Sequence, residues 1–212
     1  MNGYEYLIWD FNGTLLDDVQ TGIESVNKLL SDRGLDTVKD KKQYREVFRF
    51  PIIDYYRALG FDFDAEPYEV LAPQWVELYL ENVKHATLYP DVIQTLEYAK
   101  RNGIKQSILS ATEREMLLGQ LEELGIVDYF DEIMGLDNIH AGSKLALASD
   151  WRERHPSCRA LFVGDTDHDA QTARTLGADC VLVCRGHQSK EFLQTLGVQV
   201  EDDLGAVRRL LG

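Results

Sequence analysis

Four short stretches of this chain carry residues that can do chemistry. The first is WDFNGTLLDD, Trp9 to Asp18, where Asp10, Asn12, Gly13 and Thr14 follow a short apolar run. The second is SILSAT with Ser110, the third AGSKLAL with Lys144, and the fourth GDTDHD with Asp165, Asp167 and Asp169. Converging carboxylates suit Mg²⁺, a hard ion that takes oxygen ligands and shares them with a substrate phosphate. A Ser and a Lys beside them hold phosphoryl oxygens and neutralise charge as it develops. Asp10 is then placed to attack phosphorus and form an aspartyl-phosphate. Taken singly, each stretch has a plainer reading: a turn, a helix cap, a strand-end hydroxyl, a surface lysine.

Their place relative to the strands binds them together. Residues 4–9 read as a strand, and 104–109, 130–134, 160–163 and 180–183 read as others. Between and after them, helical spacing covers 91–101, 112–124, 144–154, 168–176, 189–195 and 203–211. Strands alternating with helices predict parallel βαβ units in a doubly wound, Rossmann-like α/β sheet. Such sheets hold their sites beyond the carboxyl ends of the strands. Asp10 to Thr14, Ser110 and the acidic run from Asp165 all follow strands, and Lys144 opens a helix.

Residues 17–88 differ from the rest. Helical patterns cover 18–33, 38–48, 51–59 and 66–84, with no convincing strand, in a stretch rich in Tyr, Phe and Trp. The expected organisation is a core of 1–16 and 89–212 with a helical insertion at 17–88. Tyr55, Tyr56, Trp75 and Tyr79 sit at helical spacings and read as the insertion's own core.

Composition narrows the partners. The 212 residues carry a net charge of −14, which argues against nucleic acid or an anionic membrane, both of which need a basic surface. It leaves a phosphate substrate open, because a metal-bound site can be locally positive. No apolar run approaches the roughly 20 residues of a membrane span. The chain enters a strand almost at once, leaving no room for a signal peptide. Cys158, Cys180 and Cys184 form no Cys-x-x-Cys pair and suit a reducing cytoplasm. Oligomeric state is not legible here.

Taken in this order, the four stretches resemble the haloacid dehalogenase-like superfamily, specifically its phosphoglycolate phosphatase-like members with a helical cap. That family's first motif, Asp-x-Asp-Gly-Thr-Leu, matches Asp10 to Leu15 except at Asn12. Its Ser or Thr matches Ser110, its Lys matches Lys144 with Leu145 in place of the usual Pro, and its Gly-Asp-x-x-x-Asp matches Gly164, Asp165 and Asp169. The resemblance implies a Mg²⁺-dependent phosphatase of small phosphorylated metabolites. Asp10 would be the nucleophile. Asp10, the backbone carbonyl of Asn12, Asp165 and Asp169 would serve the metal. Gly13, Thr14, Ser110 and Lys144 would hold the phosphoryl group and the nucleophile, and Asp167 would cap the following helix. The insertion would close over the core, with Arg45, Arg49 and Lys84 available to a second anionic group; Phe48-Arg49-Phe50-Pro51 is the segment singled out. His85 and His168 read as structural or surface residues.

Asn12 departs from the family. The acid that stands there in its phosphatases protonates the leaving oxygen and then deprotonates the water, and losing such a group costs roughly 10²–10⁴-fold. An amide keeps the backbone carbonyl and a hydrogen bond but transfers no proton. Four readings stay open: a native residue in an enzyme for good leaving groups, a native residue in a weakly active phosphate-binding protein, an engineered trap, or an Asn-Gly pair that deamidates to the acid. Related phosphonatases use a cap lysine, for which Lys28, Lys39, Lys41, Lys42 and Lys84 are present. Dehalogenases carry an aromatic residue at this position and are set aside.

Overall fold

The computed structural model describes residues 3–136 and 144–212. Six parallel strands form one sheet: β1 (Tyr6–Trp9), β4 (Lys105–Glu113), β5 (Glu132–Leu136), β6 (Ala160–Gly164), β7 (Asp179–Val183) and β8 (Gln199–Glu201). Across the sheet they lie in the order β5-β4-β1-β6-β7-β8. β1 lies in the middle, and all four of its residues are buried. A strand covered on both faces reads as a continuous apolar run rather than an alternating one, as YLIW does.

Successive β1 residues serve opposite layers. Leu7 and Trp9 join a cluster with Val92 and Leu96 of α5 (Val92–Arg101), Leu117 of α6 (Arg114–Glu123) and Val207 of α10 (Gly205–Leu211). Tyr6 and Ile8 join Trp151 of α7 (Lys144–Arg154) and Leu176 of α8 (Asp167–Leu176) on the other face. The short α9 (Lys190–Gln194) packs through Leu193 beside Leu182.

Between β1 and α5 the chain leaves the sheet. It forms α1 (Val19–Asp32), α2 (Lys41–Val47), α3 (Ile52–Ala58) and α4 (Tyr68–Asn82). These helices own a separate apolar cluster built from Val26 and Leu30 of α1, Tyr44, Tyr55, Tyr56 and Leu71. Trp75 packs against both this cluster and the main core. Arg33 clamps Glu66 through two hydrogen bonds of 2.6 and 2.7 Å, fastening α1 to the approach of α4.

Two boundaries differ from expectation. The exit and return of the insertion pair as a two-stranded antiparallel ribbon, β2 (Leu16–Asp17) with β3 (Thr87–Leu88), where the sequence shows no strand. Two residues are too few to show a period, and only the pairing creates the ribbon. Strand β4 also runs on through Ser110 to Glu113, with a register irregularity between Leu109 and Glu113. The sequence reading ended it at 109 and began the helix at 112. The third strand begins at Glu132 rather than Phe130, and β8 had no counterpart in the sequence reading.

Candidate active site

Asp10 follows β1, and its backbone N–H is held by Val163 of β6 at 2.8 Å. The chain then turns sharply. Gly13 has φ +73°, and a Cβ there would stand 2.3 Å from Asp165 Oδ2. Only glycine combines that backbone with that approach. The turn aims Asp10 and Asn12 into a cavity of about 340 Å³ between the sheet edge and the helical insertion, whose lining also includes Ser110, Lys144, Asp165 and Asp169.

Asp10, Asp165 and Asp169 are buried, and each offers an oxygen within 4.8 Å of the others. Lys144 bonds to both Asp10 Oδ1 and Asp169 Oδ1. Thr14 Oγ1 lies 3.0 Å from Asp10 Oδ2 and 3.2 Å from Asp165 Oδ1. Asp169 Oδ2 accepts from the backbone of Asp165 and Thr166 and from the Thr166 hydroxyl. The acidic run therefore builds its own helix start. Thr166, not Asp167, is the N-cap of α8, in a capping box closed by Asp169. Asp167 instead pairs with Gln188, whose side chain meets both its backbone N–H and its carboxylate.

Burial, and then Asp169, push the Asp10 carboxyl up to about 6 against the pull of Lys144. Burial likewise raises Asp165 well above the carboxylate range. Burial acts the same way on Asp169, but Lys144 outweighs it and holds that group low. Lys144 is raised, because Asp10 and Asp169 overcome a burial effect that alone would lower it. Counting Asp18, four buried carboxylates face two cations, Lys144 and His187. Asp10 and Asp165 resist ionisation, and a hard divalent cation such as Mg²⁺ on these oxygen donors would favour their charged forms.

Asn12 is engaged at both ends of its side chain. Its Nδ2 donates to Asp18 Oδ2 at 2.9 Å and to the Tyr79 hydroxyl at 2.7 Å, and its Oδ1 accepts from Thr112 at 2.8 Å. Asp18 also accepts from Tyr79 at 2.7 Å and from the Gly13 backbone N–H at 2.8 Å. His187 Nε2 lies 3.3 Å from Asp18 Oδ1, His187 Nδ1 lies 2.9 Å from the Tyr44 hydroxyl, and the His187 backbone N–H donates to Asp165 Oδ2 at 2.6 Å. Burial alone would lower His187, but Asp18, with Asp165 and Asp10 behind it, carries it up to about 9. Burial would raise Asp18, yet His187, Tyr79 and Asn12 keep it low.

Several expectations need correcting. Thr14 keeps the expected bond to Asp10 but is fully buried and absent from the cavity lining, and it reaches Asp165 as well. Gly13 serves by its turn and by its N–H to Asp18, and it does not line the cavity either. Arg49 is exposed and donates to the Val47 carbonyl, away from the cleft. Arg45 reaches across to the core, donating to the carbonyls of Arg185 at 2.6 Å and Gly186 at 2.8 Å. Lys84 is exposed and absent from the cavity lining, whereas His85 is exposed, in keeping with its reading as a structural or surface residue. His168 lines it and packs on Phe50, with ring centroids 4.9 Å apart. Tyr55, Tyr56, Trp75 and Tyr79, read as insertion core, line the cavity as well. Residues 141–143, just before Lys144 in its motif, lie outside the described residues.

Sequence reasoning missed Asp18, Tyr44, Thr112 and His187. His187 was the most accessible of these. It follows β7, and the strand-end rule that found Ser110 and Asp165 applies to CRGHQS equally. Tyr44 and Tyr79 carry no local signal, since only the docking of the insertion brings them to the core.

Fold and site together define a doubly wound α/β protein with a buried acidic centre beneath a helical insertion. The family model for haloacid dehalogenase-like hydrolases matches residues 7–183, and the chain belongs to that family. Among curated relatives, the phosphoglycolate phosphatase of Rhodobacter capsulatus is 26% identical over 187 residues, covering 86% of this chain and 85% of its own. Among solved structures, a haloacid dehalogenase-like hydrolase from Streptococcus pneumoniae superposes with a TM-score of 0.82 at 20% identity, over the full length of both chains. The protein tyrosine kinase A of Mycobacterium tuberculosis superposes equally well, with a TM-score of 0.82 at 21% identity over both full chains. At such identities the structural likeness speaks for the fold alone.

Proposed function

We propose that this chain, a phosphatase of the haloacid dehalogenase-like superfamily, hydrolyses small phosphate esters or anhydrides through an aspartyl-phosphate at Asp10. The observation that carries the reading is the buried cluster itself: Asp10 beside Lys144, with Asp165 and Asp169 gathered around one point of the cavity. Asp10 attacks phosphorus, an O–P bond forms, and the ester oxygen departs. Lys144 neutralises charge building on the phosphoryl oxygens, and the Ser110 hydroxyl donates to one of them. Water then attacks the acyl phosphate, releasing inorganic phosphate and restoring the carboxylate.

The donors fit Mg²⁺, held by Asp10, the Asn12 backbone carbonyl and Asp165 with Asp169 behind them; when bound, it supplies positive charge against the phosphoryl oxygens. Residues 17–88 act as the cap. Arg45 and the Tyr44–His187 pair hold it against the core and exclude water from the cleft.

Asn12 belongs to this site as the resident residue. The side chain supports this: its Nδ2 donates two bonds, to a carboxylate and to a hydroxyl already donating to that carboxylate, where a protonated carboxyl could donate only one. Cyclisation at Asn12-Gly13 is opposed by the hydrogen bonds that hold the Gly13 N–H to Asp18 and Leu16. The enzyme therefore works without a proton-transferring acid at position 12, which favours leaving groups stable as anions. Among the described residues no lysine of the insertion lines the cavity, so phosphonatase chemistry lacks its amine.

The test is Mg²⁺-dependent phosphate release from acetyl phosphate by the protein and by Asp10→Asn, with a hydroxylamine trap for the acyl phosphate. Turnover that requires Asp10 and yields trapped label at that residue supports the reading. Equal turnover by the two proteins refutes it.

A further inference from the structure

Much of the cavity is walled by rings and aliphatic groups. Phe48, Phe50, Tyr56, Tyr68, Trp75 and Tyr79 line it, with Ile52, Val76 and Met116 between them. Trp75 and Tyr79 stack on each other with ring centroids 4.9 Å apart and planes 19° from parallel, so an aromatic pair stands in that lining. Burial raises the hydroxyls of Tyr55, Tyr56 and Tyr68 above their ordinary range, the mark of a poorly solvated surface.

The charges point the same way. The cations of the insertion that were candidates for a second anionic group are elsewhere: Arg45 on the core loop, Arg49 on Val47, Lys84 in solvent. Among the described residues, the basic side chains that line the cavity are Lys144, His168 and His187. Lys144 and His187 are both paired with carboxylates. Asp18 and Glu113 add negative charge to the lining.

Asn12 supplies an independent observation. Without a proton donor the leaving oxygen departs as an anion. A phenol ionises near ~10, as tyrosine does, whereas bulk water, a guide to alkyl alcohols, ionises near ~15.7.

We propose that the substrate is a phosphate monoester of a flat, uncharged phenol, and that this cavity disfavours a leaving group bearing a carboxylate, such as the glycolate in the names of the curated relatives. The inference rests on the phosphatase reading for its chemistry, but the selectivity lies in the walls. A cavity of about 340 Å³ falls within the ~300–1,000 Å³ usual for small ligands. The Trp75 ring, less buried than Tyr79, offers an aromatic partner for ring contact.

The test separates selectivity from turnover. Phenylphosphonate, methylphosphonate and phosphonoacetate are titrated calorimetrically into the full chain with Mg²⁺, since none of them needs to be hydrolysed. Ring burial and stacking predict that phenylphosphonate binds tighter than methylphosphonate by on the order of tenfold or more, with phosphonoacetate no tighter than methylphosphonate. Trp75→Leu should cost phenylphosphonate more than methylphosphonate, and Val76→Arg should improve phosphonoacetate. Phosphonoacetate binding as tightly as phenylphosphonate, or no binding of any of the three, overturns the proposal. Phosphate release from acetyl phosphate is measured alongside. If it occurs without an aryl preference, the function stands and the inference falls. If the aryl preference appears without turnover, the walls are as inferred and the catalytic reading falls.

Discussion

Replacing Asn12 by Asp places a carboxyl where the amide now stands 2.9 Å from Asp18 Oδ2. At an effective dielectric near 20, two charges ~3 Å apart repel by about 5.5 kcal/mol, which is about 4 pKa units. That is an upper figure, because the His187 imidazolium already faces Asp18 and offsets part of its charge. The expected result is an introduced carboxyl that stays protonated near neutral pH and donates to Asp18 as the amide does. Its proton is then available to the leaving oxygen. A positioned acid contributes roughly 10²–10⁴-fold, so Asn12→Asp should raise kcat/KM for an alkyl phosphate by about 10² while changing an aryl phosphate only a few-fold. The assay is initial-rate phosphate release on both substrates across pH, with intact mass confirming residue 12. The double variant Asn12→Asp/Asp18→Asn removes the repelling carboxylate. The carboxyl introduced at position 12 should then ionise at lower pH, so the alkaline loss of alkyl turnover should move to lower pH by several units. Equal acceleration of both substrates, or coincident pH profiles in the single and double variants, would refute the reasoning.

Three further outcomes are expected. Arg45→Ala removes the two bonds to the carbonyls of Arg185 and Gly186; allowing for solvent around a half-buried guanidinium, about 1–2 kcal/mol is lost, so KM should rise about tenfold, and a KM within twofold of the parent would count against Arg45 as a cap latch. His187 carries a pKa of about 9 against an ordinary 6.5, so its protonated form stabilises the fold: in metal-free protein the advantage over His187→Gln should be about 3 kcal/mol below pH 6.5, shrink as pH rises, and vanish above about 9, as urea melts at pH 6 and 10 would reveal. At Gly186 an added Cβ would stand 2.0 Å from Asp165 Oδ2; Gly186→Ala should therefore displace that carboxylate and weaken Mg²⁺ binding at least tenfold by calorimetry, whereas unchanged affinity would remove Asp165 from the metal site.

Much of the fold was legible because its signals are local. An apolar YLIW run, glycines behind helices and strand–helix alternation each depend on neighbouring residues, and they led to the parallel sheet with its insertion. The acidic centre was legible for a related reason: strand-end placement converts order along the chain into position along one sheet edge. Asp10, Ser110, Lys144, Asp165 and Asp169 meet there. Side-chain direction was not legible. Arg49 lies between two cavity-lining phenylalanines and still turns to Val47.

What the sequence determined by itself was therefore the core, the order of its motifs and the absence of an acid at position 12. Tertiary structure decided everything that needs two distant segments at once. At Asn12 the sequence left four readings open, and only the fold brought Tyr79, 67 residues away, and Thr112, 100 residues away, to its side chain. The aromatic residues of the insertion show helical spacing whether they face a core or a cavity, and only docking onto the sheet opens the space they line. A hydrogen bond or a cavity wall is a relation in three dimensions, and periodicity along one chain carries only the half of it that each segment contributes.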